Sequence, residues 1–146
     1  MKSRNVEHSG QVETILLVDD EPGVRRLVRE MLTMSGFTVY EASGGLEALR
    51  LALGLKQPLN MLVTDIIMPQ MDGHELAREL ARLHPATRVL FMSGYSTDSN
   101  IKKVTAIGGR CIPKPFSMED LTRTIREMLD TPWAGLSLEG SKGASK

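Results

Sequence analysis

The sequence has a single cysteine, Cys111, so no disulfide can form within the chain. It has no excess of either charge: Lys+Arg and Asp+Glu both number 18. Global charge therefore gives no basis for binding nucleic acid or a membrane surface. No apolar run approaches the length of a membrane span. The first residues, Met1 to Glu13, are polar and lack the apolar stretch of a secretion signal. One thiol among nine methionines suits a reducing interior, and together these absences favour the cytoplasm. What is present is a soluble balance, 41% hydrophobic and 25% charged, in a chain of 146 residues that fits one domain.

Residues 1–13 read as a flexible leader. Ile15-Leu16-Leu17-Val18 is apolar at every position, as in a strand buried on both faces of a parallel sheet, and it ends in Asp19-Asp20. Pro22 then opens a helix carrying Val24, Leu27, Val28 and Met31 at helical spacing, and Gly36 closes it. Arg25, Arg26 and Arg29 read as its solvated face. A second strand covers Phe37 to Glu41, and a helix runs from about Gly45 to Leu55 with Leu46, Leu49 and Leu53 on one face. Met61-Leu62-Val63 leads to Asp65. Asp72 caps a helix to about Leu83, with Leu76 and Leu80 inward. Val89-Leu90-Phe91-Met92 ends at Ser93, and a weaker helix spans roughly Asp98 to Ile107. Gly108-Gly109 turns into a short strand from Arg110 to Pro113. Ser117 caps the last helix, with Leu121, Ile125 and Leu129 on one face and Glu119 and Asp120 in its first turn. Residues 131–146 are rich in Gly, Ser and Lys and read as a flexible tail or linker with Trp133 as its one anchor candidate. The domain is placed at residues 14–130.

Strand and helix thus alternate five times, which predicts an α/β fold: a parallel sheet with helices on both faces. Ligands of such sheets bind outside the carboxyl ends of the strands, where strand order reverses. Asp19, Asp20, Asp65, Ser93 and Lys114 all stand at predicted strand ends. In the order 2-1-3-4-5, the first and third strands are neighbours and their acids converge. Three carboxylates in one crevice need compensation, and Mg²⁺, a hard oxygen-seeking cation, supplies it together with Lys114. Such a site has the parts that phosphoryl transfer needs: a carboxylate nucleophile in Asp65, a metal bound by Asp20, an ammonium in Lys114 and a hydroxyl in Ser93. Gly94 leaves room for a phosphate.

Four stretches then carry a family resemblance: Ile15-Leu16-Leu17-Val18-Asp19-Asp20-Glu21-Pro22, Val63-Thr64-Asp65-Ile66-Ile67-Met68-Pro69-Gln70-Met71-Asp72-Gly73, Met92-Ser93-Gly94-Tyr95 and Lys114-Pro115-Phe116. In this order and spacing the sequence resembles the response-regulator receiver domains of two-component signalling, and the third stretch is similar to receivers carried by hybrid sensor kinases. The resemblance implies a flavodoxin-like (βα)5 fold and phosphorylation by a histidine kinase or a histidine phosphotransfer domain. It implies Asp65 as phosphoacceptor and Asp19, Asp20 and Asp65 as metal ligands, with the backbone carbonyl of Ile67 a further ligand. Ser93 and Lys114 then bind the phosphate and switch, and the Lys114–Pro115 bond is cis. In that geometry Ile67 and Tyr95 flank the approach of hydrolytic water and tune the lifetime of the phosphorylated state. One departure stands out: the family places an aromatic residue three positions before the lysine, where this chain has Cys111.

A Mg²⁺-dependent phosphatase working through an aspartyl-phosphate is a second reading. That class needs a carboxylate two residues after the nucleophile, and Ile67 is there instead. A third reading, a receiver-like scaffold that is never phosphorylated, sits poorly with a complete set of Asp19, Asp20, Asp65, Ser93 and Lys114. The chain accordingly reads as a phosphoacceptor and not an enzyme. Nothing in it identifies the downstream protein partner. His8, His74 and His84 lack ligand spacing and read as surface residues, and Cys111 as a small, partly buried hydrophobe.

Overall fold

The computed structural model describes residues 12–94 and 98–138. Five strands, β1 (Thr14–Val18), β2 (Thr38–Ala42), β3 (Met61–Asp65), β4 (Arg88–Ser93) and β5 (Arg110–Pro113), form one parallel sheet in the order β2-β1-β3-β4-β5. Five helices connect and follow them: α1 (Pro22–Met34), α2 (Gly45–Gly54), α3 (Gly73–Leu83), α4 (Asp98–Ala106) and α5 (Met118–Leu129). The alternation predicts the parallel sheet flanked by helices, and the flavodoxin-like arrangement is the one that the family resemblance implies.

The continuous apolar runs are explained by burial on both sides. Every residue of β1 and β3 is buried. Alternate side chains of each strand enter separate cores. Leu16, Val18 and Leu62 face α2, α3 and α4, where Ala48, Leu76 and Val104 meet them. Ile15, Leu17 and Val63 face α1 and α5, meeting Val28, Leu32 and Ile125. Each fully buried Leu or Ile contributes roughly 1.5–3 kcal/mol, so β1 and β3, which carry acids of the site at their ends, are firmly held.

Helix ends follow local chemistry. Pro22 occupies the first turn of α1, where no backbone donor is needed, and Gly36, at φ 98°, lets the chain leave it. Asp72 accepts from Glu75 N while the Glu75 carboxylate accepts from Asp72 N, a reciprocal capping box on α3. Ser117 accepts from Asp120 N at the start of α5.

Three expectations need correction. The Leu46–Leu53 stripe of α2 faces solvent, at 57% and 68% exposure, while Gly45, Ala48 and Ala52 form the buried side and Leu49 is half-buried. Small residues let this helix lie close to its neighbours: a Cβ on Gly45 would collide with the Met71 side chain. Second, Glu13 is part of the fold and not of a leader. Its carbonyl accepts from Thr38 N, and its carboxylate pairs with Arg126, whose guanidinium lies 4.9 Å from the centre of the Phe37 ring. Third, residues 131–138 pack against the domain. Trp133 and Leu136 join the core that covers α2, α3 and α4, Arg88 Nη2 donates to the Thr131 carbonyl, and Ser137 N donates to the Ile107 carbonyl. The remaining leader and tail, residues 1–11 and 139–146, lie outside the described residues.

Candidate functional site

The parallel register delivers the site. Val18 of β1 pairs with Thr64 of β3, so the next step sets Asp19 beside Asp65. Asp65 pairs with Met92, which places Ser93 one step beyond, and Ser93 pairs with Pro113, which places Lys114 beyond β5. Lys114 N donates to the Ser93 carbonyl at 2.9 Å, tying the last two strand ends together. The predicted acids, hydroxyl and lysine therefore meet at one sheet edge.

Oxygens of Asp19, Asp20 and Asp65 lie within 4.8 Å of one another, a donor set of hard oxygens that fits a divalent cation such as Mg²⁺. Asp19 is fully buried, Asp65 is buried and Asp20 is exposed. Lys114 Nζ stands 2.7 Å from Asp65 Oδ1 and 3.3 Å from Asp19 Oδ2. Burial, and then the adjoining Asp19 carboxylate, push the Asp65 carboxyl up to about 7 against the pull of Lys114. Burial disfavours the Lys114 ammonium, but the bonds and charges of Asp65 and Asp19 outweigh it and raise its pKa. One lysine thus compensates two carboxylates incompletely, leaving a net attraction for a cation.

The Ser93 hydroxyl is buried and contacts the Ile112 carbonyl only at 3.5 Å, a long bond that is easily exchanged. Among the described residues, a Cβ on Gly94 would meet nothing closer than Lys114 Cδ at 3.6 Å. Ile67 stands at the mouth, 54% exposed. The Lys114–Pro115 bond is cis. Tyr95 lies outside the described residues. Cys111 is half-buried against the core, where desolvation raises its thiol pKa and keeps it neutral.

A cleft of about 770 Å³ opens from Asp65 and Lys114 along α1, where Val24, Leu27 and Phe116 give it an apolar wall. Sequence reasoning missed two supports of this edge. Gly73 N donates to the Ile66 carbonyl at 2.7 Å, and a Cβ on Gly73 would overlap the Asp65 carbonyl oxygen, so only glycine lets α3 start this close to β3. The Asp-Gly pair after the loop was the available signal. Arg25 is the other: rather than lying in solvent, its Nη1 donates to the Asp19 carbonyl at 2.7 Å. His84 also departs from a plain surface role, since its Nε2 lies 3.0 Å from the Ala52 carbonyl and joins the end of α3 to α2.

Among the described residues no helix is long and apolar enough to cross a membrane. Residues 15–126 match the model of the response regulator receiver domain. The chain is 38% identical over 133 residues to Sensor kinase CckA of Brucella abortus (strain 2308), covering 88% of this chain and 14% of that protein. It is 31% identical to the response regulator receiver protein CpdR of the same organism, over 81% of this chain and 98% of that one. Among solved structures, the receiver domain of the hybrid histidine kinase CckA superposes with a TM-score of 0.68 at 32% identity, over 80% of this chain and 98% of that chain. The matched stretch is thus a small part of one relative and nearly the whole of another. The match runs from β1 into α5 and includes every strand end that carries an acid, the hydroxyl or the lysine, and on that ground the chain belongs to the response regulator receiver domain family.

Proposed function

We propose that the chain is a phosphorylation-controlled signalling module in which Asp65 takes a phosphoryl group from a phosphohistidine of a histidine kinase or histidine phosphotransfer domain. The observation that carries this reading is the convergence of three carboxylates within 4.8 Å with Lys114 bonded to Asp65. A carboxylate oxygen of Asp65 attacks phosphorus, the phosphorus–nitrogen bond of the donor breaks, and the imidazole keeps the electron pair. Asp19, Asp20 and Asp65, with the backbone carbonyl of Ile67, would hold Mg²⁺, which supplies charge neutralisation for the phosphoryl oxygens. Lys114 takes a second oxygen, and Ser93 with the Gly94 amide a third. Movement of Ser93 toward the new phosphate then alters the surface around α4.

The relatives support this reading: one is a sensor kinase and one a receiver protein by name. The phosphatase alternative is disfavoured because Ile67 offers no acid/base, so the chain acts as a phosphoacceptor and not as an enzyme on other substrates. With balanced charge and no membrane-spanning helix among the described residues, the module fits the cytoplasm.

Incubation with acetyl phosphate and Mg²⁺, read by intact mass, tests the assignment. The chain gains one phosphoryl group, while Asp65→Asn and Asp65→Ala gain none. Equal, acid-stable incorporation in either variant would remove Asp65 from the role.

A further inference from the structure

Arg25 connects three elements at the back of the acidic turn. Its Nη1 donates to the Asp19 carbonyl at 2.7 Å, and its Nε donates to Glu41 Oε1 at 3.2 Å. Glu41 receives Arg29 Nε on its other oxygen at 2.9 Å. It belongs to β2 and pairs in register with Leu17 of β1, so this carboxylate is fixed to the sheet and not to a loop. The Arg25 side chain keeps only 20% of its exposure.

The Asp19 carbonyl is the peptide group that joins Asp19 to Asp20. Whatever fixes that peptide plane fixes the directions in which both acidic side chains leave the backbone. Two further bonds act on the same turn: Asp19 N donates to the Ala42 carbonyl at 3.3 Å, and Glu21 N donates to Asp19 Oδ1 at 2.9 Å. Neither of them holds the carbonyl. Arg25 does, and it can because a guanidinium donates along two fixed directions at once, to the sheet-borne carboxylate and to the turn.

We infer that Arg25, anchored by Glu41, is a positioning residue for divalent-cation binding at the Asp19–Asp20 turn, an inference that rests on the cation-binding reading above. Small hard cations demand near-ideal ligand geometry, so a freely rotating peptide between two ligands weakens binding. Glu41 has a second effect. It holds the guanidinium toward β2, where without that anchor it would be free to pair with exposed Asp20 and compete with the cation.

Charge alone predicts the opposite outcome, which makes the inference decidable. Arg25 is a positive charge bonded to the turn that carries Asp19 and Asp20, and by Coulomb's law its removal should tighten cation binding. Loss of positioning should weaken it. The experiment titrates Mn²⁺ into the full chain and follows the paramagnetic resonance signal of the free ion, with Mg²⁺ as competitor. It compares wild type, Arg25→Gln, Arg25→Lys, Glu41→Gln and Arg29→Gln, each also melted in chelator. Positioning predicts an affinity loss of about ten-fold in Arg25→Gln, the low end for groups that orient a ligand. Glu41→Gln should lose affinity too, and Arg25→Lys should fall between Gln and wild type. Arg29→Gln should stay near wild type, because Arg29 pairs with Glu41 in the same way but does not hold the carbonyl. Unchanged or tighter binding in Arg25→Gln overturns the inference, even if that variant melts at a lower temperature in chelator. Should Arg25→Gln fail to fold, Arg25→Lys decides, because it keeps the charge: weaker binding supports positioning and unchanged binding overturns it. If the wild type binds no Mn²⁺, both this inference and the cation site fall. If the wild type binds and the variants bind equally, this inference falls alone.

Discussion

The ammonium of Lys114 bridges Asp65 Oδ1 at 2.7 Å and Asp19 Oδ2 at 3.3 Å, so a single cation stands between two carboxylates that burial leaves short of water. The pair is under-compensated, and its titration should be visible in the stability of the whole molecule.

An ordinary Asp carboxyl titrates near 3.8, whereas Asp65, desolvated and beside Asp19, is lifted to about 7. Between those values the folded protein holds a proton that the unfolded chain has released, so stability falls as pH rises through that window and levels off above it. In chelator, the melting temperature should therefore decline from about pH 5 to about pH 7.5. Asp65→Asn should flatten the decline and leave the metal-free protein more stable than wild type at the upper end. A wild-type melting temperature that is flat or rising over this range would contradict the assignment.

Gly73→Ala should cost about 1–3 kcal/mol, because the added methyl lands on backbone that cannot turn aside. The neighbouring geometry of Asp65 should shift with it, lowering the yield of phosphorylation as well. Gly23→Ala is the contrasting case. Among the described residues nothing lies within 4 Å of a Cβ there, and the residue is helical, so stability should be unchanged or gain about 0.4–1 kcal/mol. Urea denaturation followed by circular dichroism measures both.

Trp133→Ala should destabilise the domain by about 2 kcal/mol, below the usual figure for a fully buried aromatic because the ring is only half-buried. A chain ending at Asp130 should lose at least as much, since Leu136 and the Ser137 bond go with it. As the sole tryptophan, Trp133 also reports its own release. Its emission should shift to longer wavelength in the same denaturation transition that circular dichroism follows. A truncated chain as stable as the full one would show that this segment adheres without contributing.

The lifetime of phosphorylated Asp65 should be set in part by Ile67, which stands exposed at the mouth and offers water no hydrogen bond. Ile67→Asn should speed decay after the phosphodonor is removed, and combination with Tyr95→Glu should speed it further, because a polar group can place water in line with the breaking bond. Equal decay in all three proteins, followed by intact mass, would take these side chains out of the hydrolytic step.

The sheet and the acid cluster were legible because both depend on strong local patterns. Runs apolar at every position, each ending in a polar residue, specify buried parallel strands and put Asp19, Asp65 and Ser93 at one edge. The facing of α2 was not legible. Leu46, Leu49 and Leu53 make the stronger hydrophobic pattern, yet the tight approach to Met71 selects the Gly45, Ala48 and Ala52 side, and periodicity carries no information on how closely two elements pack. Arg25 was hidden for a related reason. Arginines on a helix usually face solvent, and only the pairing of β1 with β2 brings Glu41 within reach of it. The adherence of residues 131–138 was obscured by composition, since the tail is rich in Gly, Ser and Lys while two apolar side chains hold this part of it down.

Ser137 is moored to the Ile107 carbonyl and Thr131 to Arg88, the first residue of β4, so the last described stretch sits at the amino ends of β4 and β5. Asp65 opens at the other ends of the strands. A tether fastened at Leu138 therefore leaves from the end of the sheet opposite the crevice. Immobilised by that point on a bead or a sensor chip, the protein would present its acids outward, and charging by a phosphodonor in solution should proceed as fast as for the free chain.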